Sequence, residues 1–254
     1  MVISIITATF NSGATVQDTF NSVLRQTHTD WELIVKDGGS KDNTLEICRA
    51  FQEKAGERVR IISAPDGGIY DAMNQGISAA TGDVVGLLNS DDFYTSDDVL
   101  STIAAAFEKD PDLDAVYGDI HYVNDGELDK CVRYYSSAGF KRERMMQGWM
   151  PAHPSFYCRR EVYQKYGMFD TSFRVAADFE QLLRLIYIGN IQTEYIPKDF
   201  VTMRTGGAST ANLKARIQIM KDHLRAFKKN GIPNNFFRLS SRYFEKLLEF
   251  WKKK

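Results

Sequence analysis

Up to about residue 110, the chain alternates short apolar runs with longer segments in which apolar residues recur every three or four positions. Short β-branched runs are typical of buried strands, and the wider spacing is typical of helices that bury one face. Four strands are predicted, at Val2–Ala8, Glu32–Lys36, Arg58–Ser63 and Val84–Leu88. Four helices are predicted between and after these strands. Ser12 caps the first, and Ser40 and Asp42 open the second. The third includes Ile69 and is stopped by Gly82, and the fourth runs from about Asp97 to Lys109. Four such units favour an α/β fold with a mostly parallel central sheet and helices on both faces.

The remainder of the chain is less regular. Two strands are predicted within 114–133 around the turn Asn124-Asp125-Gly126, and a helix is predicted from Ala177 to Ile188. Ile191–Ile196 is interpreted as an edge strand before Pro197. The glycine-rich segment 206–210 is interpreted as a mobile loop, and the rest is predicted to be helical.

The composition is that of a soluble globular protein. Of the 254 residues, 43% are hydrophobic and 26% are charged, which excludes a disordered chain, a collagen-like repeat and a disulfide scaffold. No apolar stretch approaches the ~18–20 residues of a membrane span, and the N-terminus lacks the basic region of a signal peptide. The three cysteines form no CxxC pair, so we expect reduced thiols and a cytoplasmic setting.

Charge is unevenly distributed along the chain. Residues 212–254 hold twelve Lys and Arg against three acids, a net charge of +9, and residues 1–211 hold the other 20 bases and 30 acids, a net charge of −10. We therefore divide the chain into a body, 1–211, and a basic helical C-terminal extension, 212–254. Such asymmetry points to an anionic surface or partner.

Polar sequences follow each of the four predicted strands. They are 7–11 (Thr-Ala-Thr-Phe-Asn), 36–40 (Lys-Asp-Gly-Gly-Ser), 66–68 (Asp-Gly-Gly) and 89–92 (Asn-Ser-Asp-Asp). Open parallel sheets bind ligands beyond the carboxyl ends of their strands, so these sequences should converge on one rim.

The sequence Asn89-Ser90-Asp91-Asp92 carries the strongest chemical signal. Two carboxylates at the end of a buried strand need compensation by water, a cation or helix amides. Asp91 or Asp92 could hold Mg²⁺ or Mn²⁺ while a diphosphate supplies further oxygens, and a helix-capping loop is the alternative interpretation.

Three other side chains have two interpretations each. Asp37 could accept a hydrogen bond from a base or a sugar, or could form a plain Asp-Gly-Gly-Ser turn. Asp178 could be a general base, or an acid placed at a helix N-terminus for the helix dipole. His153 could contact an acceptor, or be a hydrogen-bonded structural histidine.

The C-terminal segment 236–251 is amphipathic. Its apolar residues share one helical stripe with basic residues beside it: Phe236, Leu239, Tyr243, Phe244, Leu247, Leu248 and Trp251. This pattern is typical of a helix that lies on an anionic membrane, and also of a helix packed on the body with a solvated basic face.

Five motifs occur in order within residues 1–210. They are Ile-Ile-Thr-Ala-Thr-Phe-Asn at 5–11, Val-Lys-Asp-Gly-Gly-Ser-Lys-Asp-Asn-Thr at 35–44, Asp-Ala-Met-Asn-Gln-Gly at 71–76, Asn-Ser-Asp at 89–91, and Ala177-Asp178. Together they resemble the family 2 glycosyltransferases, which are inverting enzymes of the GT-A fold. Lys36, Asn89 and Ala177 each stand where the family has an acid. Met73, in place of the common Arg, resembles the subgroup of bacterial enzymes that builds O-antigen and capsular polysaccharides.

The resemblance implies a nucleotide-sugar donor, most often UDP-linked, a Mn²⁺ or Mg²⁺ ion at Asp91, and Asp178 as the catalytic base. The side chains expected around the nucleotide-sugar are Thr7, Thr9, Phe10, Asn11, Asp37, Asp71, Asn74, Asn89, Ser90 and Arg204. Candidates for contacts with the acceptor or the diphosphate are His153, Asp92, Gly207 and Ser209. The segment 206–210 is expected to act as a lid over the diphosphate.

Three functions remain open at this point. The first is an inverting transferase that adds a sugar to a lipid-linked or polysaccharide acceptor, held by its C-terminal helix at the inner face of the cytoplasmic membrane. The second is a non-catalytic nucleotide-sugar-binding or scaffold protein. The third, a sugar-phosphate nucleotidyltransferase, is disfavoured because Asn11-Ser12-Gly13 offers no basic side chain. No nucleic-acid partner is expected for this protein.

Overall fold

The computed structural model describes residues 1–206 and 213–241, apart from the side chains of 213–216. The predicted contacts of Gly207 and Ser209, the predicted lid beyond Gly206, and most of the amphipathic segment 236–251 therefore lie outside the described residues.

The described residues form one α/β unit. Its strands are β1 (Ile3–Thr9), β2 (Trp31–Asp37), β3 (Val59–Ser63), β4 (Val84–Leu87), β5 (Phe93–Tyr94), β6 (Ala115–Asn124), β7 (Glu127–Tyr135), β8 (Tyr157–Arg159) and β9 (Thr193–Arg204). Its helices are α1 (Val16–Leu24), α2 (Thr44–Ala55), α3 (Ile69–Ala79), α4 (Val99–Lys109), α5 (Arg160–Tyr166), α6 (Ala177–Leu182, continued as a π-helix over Leu183–Ile188) and α7 (Leu213–Lys229). Short 3₁₀ helices lie at Gly56–Arg58, Arg142–Gln147 and His153–Ser155.

The strands form a single sheet in the order β3-β2-β1-β4-β8-β6-β9-β5, with β7 paired to β6. The first four are parallel, as predicted, because each is followed by a helix that returns the chain to the same end of the sheet. Strand β8 is antiparallel to β4 and β6, and β9 is parallel to β6. The carboxyl ends of β1, β2, β3 and β4 consequently meet at one edge.

Both faces of β1 are buried, which explains its unbroken apolar sequence. On one face, Ile6 packs with residues of α3, α6 and α7, and on the other, Ile5 packs with residues of α1, α2 and α4. Helix α3 crosses β1 so closely that a Cβ on Gly76 would lie 2.3 Å from Cγ2 of Ile6. The glycine therefore sets how near α3, and the cleft beside its N-terminus, lies to the sheet.

Several predicted boundaries are wrong. Helix α1 begins at Val16 with Thr15 at its N-cap, because the Ser12 hydroxyl instead pairs with Ser90 at 2.8 Å. Helix α2 begins at Thr44, since Asp42 accepts hydrogen bonds from the backbone N–H and hydroxyl of that residue. Helix α3 ends at Ala79, before Gly82, whose N–H is donated to Ser4 and Glu32.

The strand predicted to end before Pro197 continues through it to Arg204. Pairing with β6 shifts register between Tyr117 and Asp119, so Pro197 lies where the ladder is interrupted and its missing N–H costs little. Over Val201 and Thr202, β9 also pairs with β5 and is no longer an edge strand.

Helix α7, the start of the predicted C-terminal extension, packs on α6. Lys229 forms an ion pair with Asp170, and Arg225 donates to Ser172 and lies over the Phe173 ring at 4.2 Å. Two basic side chains of the extension therefore bind residues of the body. Farther along, Leu239 is fully buried, whereas Phe236 and Phe237 are exposed. Among the described helices, none is long and apolar enough to cross a membrane.

Candidate active site

A cleft of about 660 Å³ lies at the carboxyl ends of β1, β2 and β4, against the N-terminus of α3. Six of the predicted nucleotide-sugar and metal residues line it: Thr9, Phe10, Asn11, Asn89, Ser90 and Asp91. They come from two segments about eighty residues apart, and the parallel pairing of β1 with β4 brings them together.

The walls of the cleft combine apolar surface with unused polar atoms. The Phe10 side chain is 61% exposed and that of Ile69 is 50% exposed, so both present apolar surface that no described residue covers. Thr9 Oγ1 is buried and has no hydrogen-bond partner among the described residues. Apolar walls with a few placed polar groups are typical of sites for planar ligands such as a nucleotide base.

Asp66 is a cleft residue that was not among the predicted site residues. Its Oδ2 lies 3.0 Å from Nζ of Lys36, which is fully buried and also donates to the carbonyl oxygens of Asp37 and Ala64. Asp66 Oδ1 accepts the N–H of Gly68. Lys36 stands where the second motif of the family has an acid. Here it binds another acid, Asp66, which lies in the wall of the cleft.

Asp37 is fully buried and does not line the cleft. Its carboxylate accepts hydrogen bonds from the N–H groups of Gly39 and Ser40 and from the hydroxyls of Ser40 and Ser63. Burial alone would raise the pKa of Asp37, but the hydrogen bonds from Ser40, Ser63 and Gly39 outweigh it and lower the pKa. The carboxylate stays ionised and shapes the turn that forms the floor beside Gly38.

The loop 89–92 has the donor set of a divalent-cation site. Asp91 lines the cleft, and the neighbouring Asn89 Oδ1 is buried without a hydrogen-bond partner among the described residues. Carboxylate and amide oxygens suit Mg²⁺ and Mn²⁺, so these residues fit such an ion. In the described part of the chain no three His, Cys, Asp or Glu side chains converge, so a cation here would take further oxygens from its ligand or from water.

Asp92 differs from Asp91 in its surroundings. It is 1% exposed and does not line the cleft. Burial first, and then the charge of Asp91, raise the pKa of Asp92 well above its usual range, and Asn89 and Arg204 offset only part of this. Asp91 is therefore the carboxylate that this loop presents to the cleft.

Arg204 supports the loop from behind. Its guanidinium donates to the carbonyl oxygen of Asp91 at 2.6 Å, forms ion pairs with Asp18 and Asp125, and lies over the Phe93 ring. It is 7% exposed and does not line the cleft. In this arrangement Arg204 links β9, α1 and the β6–β7 turn to the loop that carries Asp91.

Three further predicted site residues form internal contacts outside the cleft lining. Thr7 donates its hydroxyl to the carbonyl oxygen of Leu88 at 2.8 Å. Asp71 accepts the N–H of Gly67, in the loop before α3. The amide of Asn74 both donates to and accepts from the backbone of Phe169, at 2.8 and 2.9 Å. These side chains fix the loops around the site.

Asp178 lies in a second cavity, of about 330 Å³, together with His153. It is at the N-terminus of α6, where Oδ1 accepts the N–H of Phe179 at 2.8 Å. Its Oδ2 lies 3.7 Å from Nδ1 of His153. Burial lowers the pKa of His153, and the Asp178 charge opposes this only in part. The pair is therefore a neutral imidazole beside a carboxylate.

The walls of this second cavity include residues that the sequence did not single out. Tyr122, Tyr135 and Trp149 supply aromatic surface, and Ile219 and His223 come from α7. Trp149 lies within the Met- and aromatic-rich stretch 145–157, whose composition was the available signal. The two cavities are neighbours: Ile69 lines the cleft, and the next residue, Tyr70, donates its hydroxyl to the carbonyl oxygen of Val175, which lines the second cavity.

Comparison with known sequences identifies relatives over most of the chain. The family described as glycosyl transferase family 2 matches residues 4–175. A PGL/p-HBAD biosynthesis glycosyltransferase of Mycobacterium tuberculosis is 32% identical over 193 residues, 76% of this chain and 73% of that protein. Chondroitin synthase of Pasteurella multocida is 32% identical over 192 residues, 75% of this chain but only 19% of the synthase.

Solved structures with the same fold have lower sequence identity. S. aureus TarS in complex with UDP-GlcNAc superposes with a TM-score of 0.71 at 20% identity, over 89% of this chain and 66% of that one. A mannosyltransferase from Pyrobaculum calidifontis, in complex with GDP-Man and Mn²⁺, gives a TM-score of 0.64 at 17% identity, over 90% of this chain and 63% of that one. The chain spans less than two thirds of these structures, and at such identity they show the fold alone. The family match, the relatives and the fold agree: this chain belongs to the family 2 glycosyltransferases and is a sugar-transferring enzyme of the GT-A fold.

Proposed function

We propose that this enzyme transfers a sugar from a UDP-linked donor to an acceptor hydroxyl, with a divalent cation and with inversion at the anomeric carbon. The observation that carries the proposal is the pair of neighbouring cavities. One presents Asp91 and an apolar wall beside an unpartnered Thr9 hydroxyl, and the other presents a carboxylate, Asp178, on a helix N-terminus. The UDP-GlcNAc complex of TarS supports a UDP-linked donor.

The cleft would bind the nucleotide. Phe10 and Ile69 would pack on the base, while Thr9 and Asp66 offer polar atoms to the base or the ribose. Asn89 and Asp91 would hold Mn²⁺ or Mg²⁺, which when bound stabilises negative charge on the departing diphosphate. The Mn²⁺ in the mannosyltransferase complex supports this expectation.

The second cavity would bind the acceptor. Asp178 would take the proton of the acceptor hydroxyl as its oxygen forms a bond to the anomeric carbon. The bond from that carbon to the diphosphate breaks, and its electron pair leaves with UDP. Since attack and departure occur on opposite faces, a single displacement inverts the configuration.

The acceptor is proposed to be a lipid-linked or polysaccharide glycan, as in O-antigen or capsule assembly. The names of the relatives support this class, since they include enzymes of PGL/p-HBAD biosynthesis and chondroitin synthase. The basic extension would hold the enzyme on an anionic membrane at its cytoplasmic face, next to a lipid-linked acceptor.

A UDP-release assay tests this function. The enzyme is incubated with p-nitrophenyl glycosides as acceptors and with UDP-GlcNAc, other UDP-sugars or GDP-mannose as donors, each with Mn²⁺ and with EDTA. We expect release of UDP from at least one UDP-sugar, lost with EDTA and restored by Mn²⁺. Binding of UDP without donor consumption under all conditions would instead identify a non-catalytic nucleotide-sugar-binding protein.

A further inference from the structure

His153 is held on a rigid piece of backbone. It begins the short 3₁₀ helix His153–Ser155, in which the Ser155 hydroxyl donates to the carbonyl oxygens of Gly118 and Ala152, each at 2.8 Å. The N–H of Ala152 is donated in turn to the Ser137 hydroxyl. Because both neighbours of His153 are buried, the backbone that carries its imidazole has a fixed position beside the cavity.

The two side chains face the same cavity without bonding to each other. The 3.7 Å between His153 Nδ1 and Asp178 Oδ2 is longer than a hydrogen bond. Among the described residues, none donates a hydrogen bond to Asp178 Oδ2, whose partner oxygen is already taken by the N–H of Phe179. The side chains are 22% and 17% exposed, so both remain open to a ligand.

The two groups are chemically complementary to a pair of hydroxyls. A neutral imidazole carries one N–H donor and one acceptor nitrogen, and a carboxylate only accepts. Adjacent hydroxyl oxygens on a pyranose ring are separated by about 2.9 Å, the length of one hydrogen bond. Tyr122, Tyr135 and Trp149 provide apolar wall in the same cavity, suited to the carbon face of a sugar ring.

We infer that His153 and Asp178 together select an acceptor sugar that carries two adjacent free hydroxyls, one of which receives the transferred sugar. This inference rests on the proposed function and specifies its acceptor. Asp178 takes the proton of the attacking hydroxyl, while His153 hydrogen-bonds to the neighbouring hydroxyl and thereby orients the ring. His153 is then a specificity-determining residue, and Asp178 the catalytic base.

The test combines acceptor and enzyme variants. The acceptor probes are p-nitrophenyl glucoside, galactoside and mannoside, each with its monodeoxy derivatives, and the donor is the UDP-sugar that gives the fastest UDP release. The enzyme variants are His153→Ala and His153→Gln. His28→Gln is the control, because His28 lines neither cavity and its ring hydrogen-bonds to the backbone of Met1. Thermal unfolding and UDP binding confirm that each variant is folded.

With the wild-type enzyme, removing the hydroxyl next to the attacked one should lower kcat/KM about 10-fold or more, because a buried polar group loses its partner. With His153→Ala, kcat/KM for the diol probe should fall by a similar factor, and kcat/KM for the deoxy probe should be about equal to that for the diol. His153→Gln, which keeps a neutral donor, should recover part of the difference, and His28→Gln should match the wild-type enzyme.

Two results would overturn the inference while leaving the transferase intact. One is a wild-type enzyme that uses the diol and the neighbouring-deoxy probes equally. The other is a deoxy penalty that persists in full in His153→Ala. Absence of any donor consumption with any probe counts instead against the proposed transferase.

Discussion

Lys36 and Asp66 form an ion pair in the wall of the cleft at the carboxyl ends of the parallel strands, with Nζ 3.0 Å from Oδ2. The Lys side chain is fully buried, and the Asp side chain is 13% exposed. The Lys36 ammonium also donates hydrogen bonds to the carbonyl oxygens of Asp37 and Ala64, so it joins the end of β2 to the loop after β3.

Replacing this Lys with Met should weaken both folding and donor binding. Removing one partner of a buried pair leaves the other charge unpaired, so we expect Lys36→Met to lower the free energy of unfolding by about 3 kcal/mol. UDP affinity should fall as well, because Asp66 loses its anchor. Urea unfolding and UDP titration measure the two effects. Arg25→Met is the matched control: Arg25 and Asp97 are each more than half exposed, and we expect a loss under about 1 kcal/mol and unchanged UDP binding.

The general-base assignment predicts a specific split between binding and turnover. Asp178→Asn removes the proton acceptor and little volume, so transfer should fall by about 100-fold to 10,000-fold while UDP binding stays near that of the wild-type enzyme. Asp170→Asn serves as the control, since Asp170 lines neither cavity and binds Lys229. Normal turnover by Asp178→Asn would assign the base to another residue.

The cation site can be probed by adding charge to it. Asn89→Asp places a second carboxylate next to Asp91, so the Mn²⁺ concentration for half-maximal UDP release should fall about 10-fold. Without a divalent cation the same variant should be less stable than the wild-type enzyme, because its new charge is buried near Asp91. An unchanged Mn²⁺ dependence would place the ion elsewhere.

The His153–Asp178 pair predicts the acid side of the pH profile. The ordinary pKa of a histidine is ~6.5, and burial lowers the pKa of His153. The imidazole therefore stays neutral until the pH falls below ~6.5. Below that lowered pKa, the protonated imidazole has two N–H donors and no acceptor nitrogen, so its hydrogen bond to the acceptor sugar changes and kcat/KM should fall as pH decreases. Tyr70 stays neutral throughout, because burial and Asp178 raise its pKa. His153→Gln should remove this acid limb, and His28→Gln should keep it.

Membrane attachment is testable at a boundary that the structure suggests. Leu239 is buried in the body, so truncation should follow Ser241 rather than remove the whole amphipathic segment. We expect a chain that ends at Ser241 to lose binding to anionic liposomes, with its thermal unfolding unchanged. Each Lys or Arg near such a surface contributes about 1 kcal/mol, so replacing the five basic residues of 242–254 with Gln should have a similar effect. Equal flotation of all three proteins would contradict the proposal.

The first half of the fold was predictable because its strands β1 to β4 contain short β-branched or apolar runs that alternate with helical patterns. The short strands β5 and β8 were not predicted, since two or three residues carry no periodic signal. Pro197 was misleading because its effect depends on the register between β6 and β9, and local sequence does not record that register.

The site was predictable in part for a related reason. Residues directly after strands, such as Phe10 and Asp91, reach the cleft because parallel strands end at one edge. Asp66 lies in a segment that was predicted to reach this rim, although no role was assigned to it. Trp149 and His223 were not predicted as site residues, because their positions depend on how a loop and a later helix pack against the sheet. The hydrogen bonds of Asp37 to Gly39 and Ser40 agree with the alternative interpretation of Asp37 as a turn residue, whereas the contact of Asn74 with Phe169, 95 residues away, was hidden from the sequence.

The two cavities draw their walls from separate stretches of chain, 8–91 for one and 120–223 for the other. Two of the contacts that join the stretches, Tyr70 to Val175 and Arg204 to Asp91, end on backbone carbonyl oxygens, whereas others, such as the ion pair of Arg204 with Asp18, join side chains. Under the proposed function, substitutions in the first stretch would change donor preference and substitutions in the second would change acceptor preference. Recombination in the exposed turn after α4 would join the proposed nucleotide cleft of one enzyme to the proposed acceptor cavity of another, and the junction would need to keep partners such as Asp18 and Arg204.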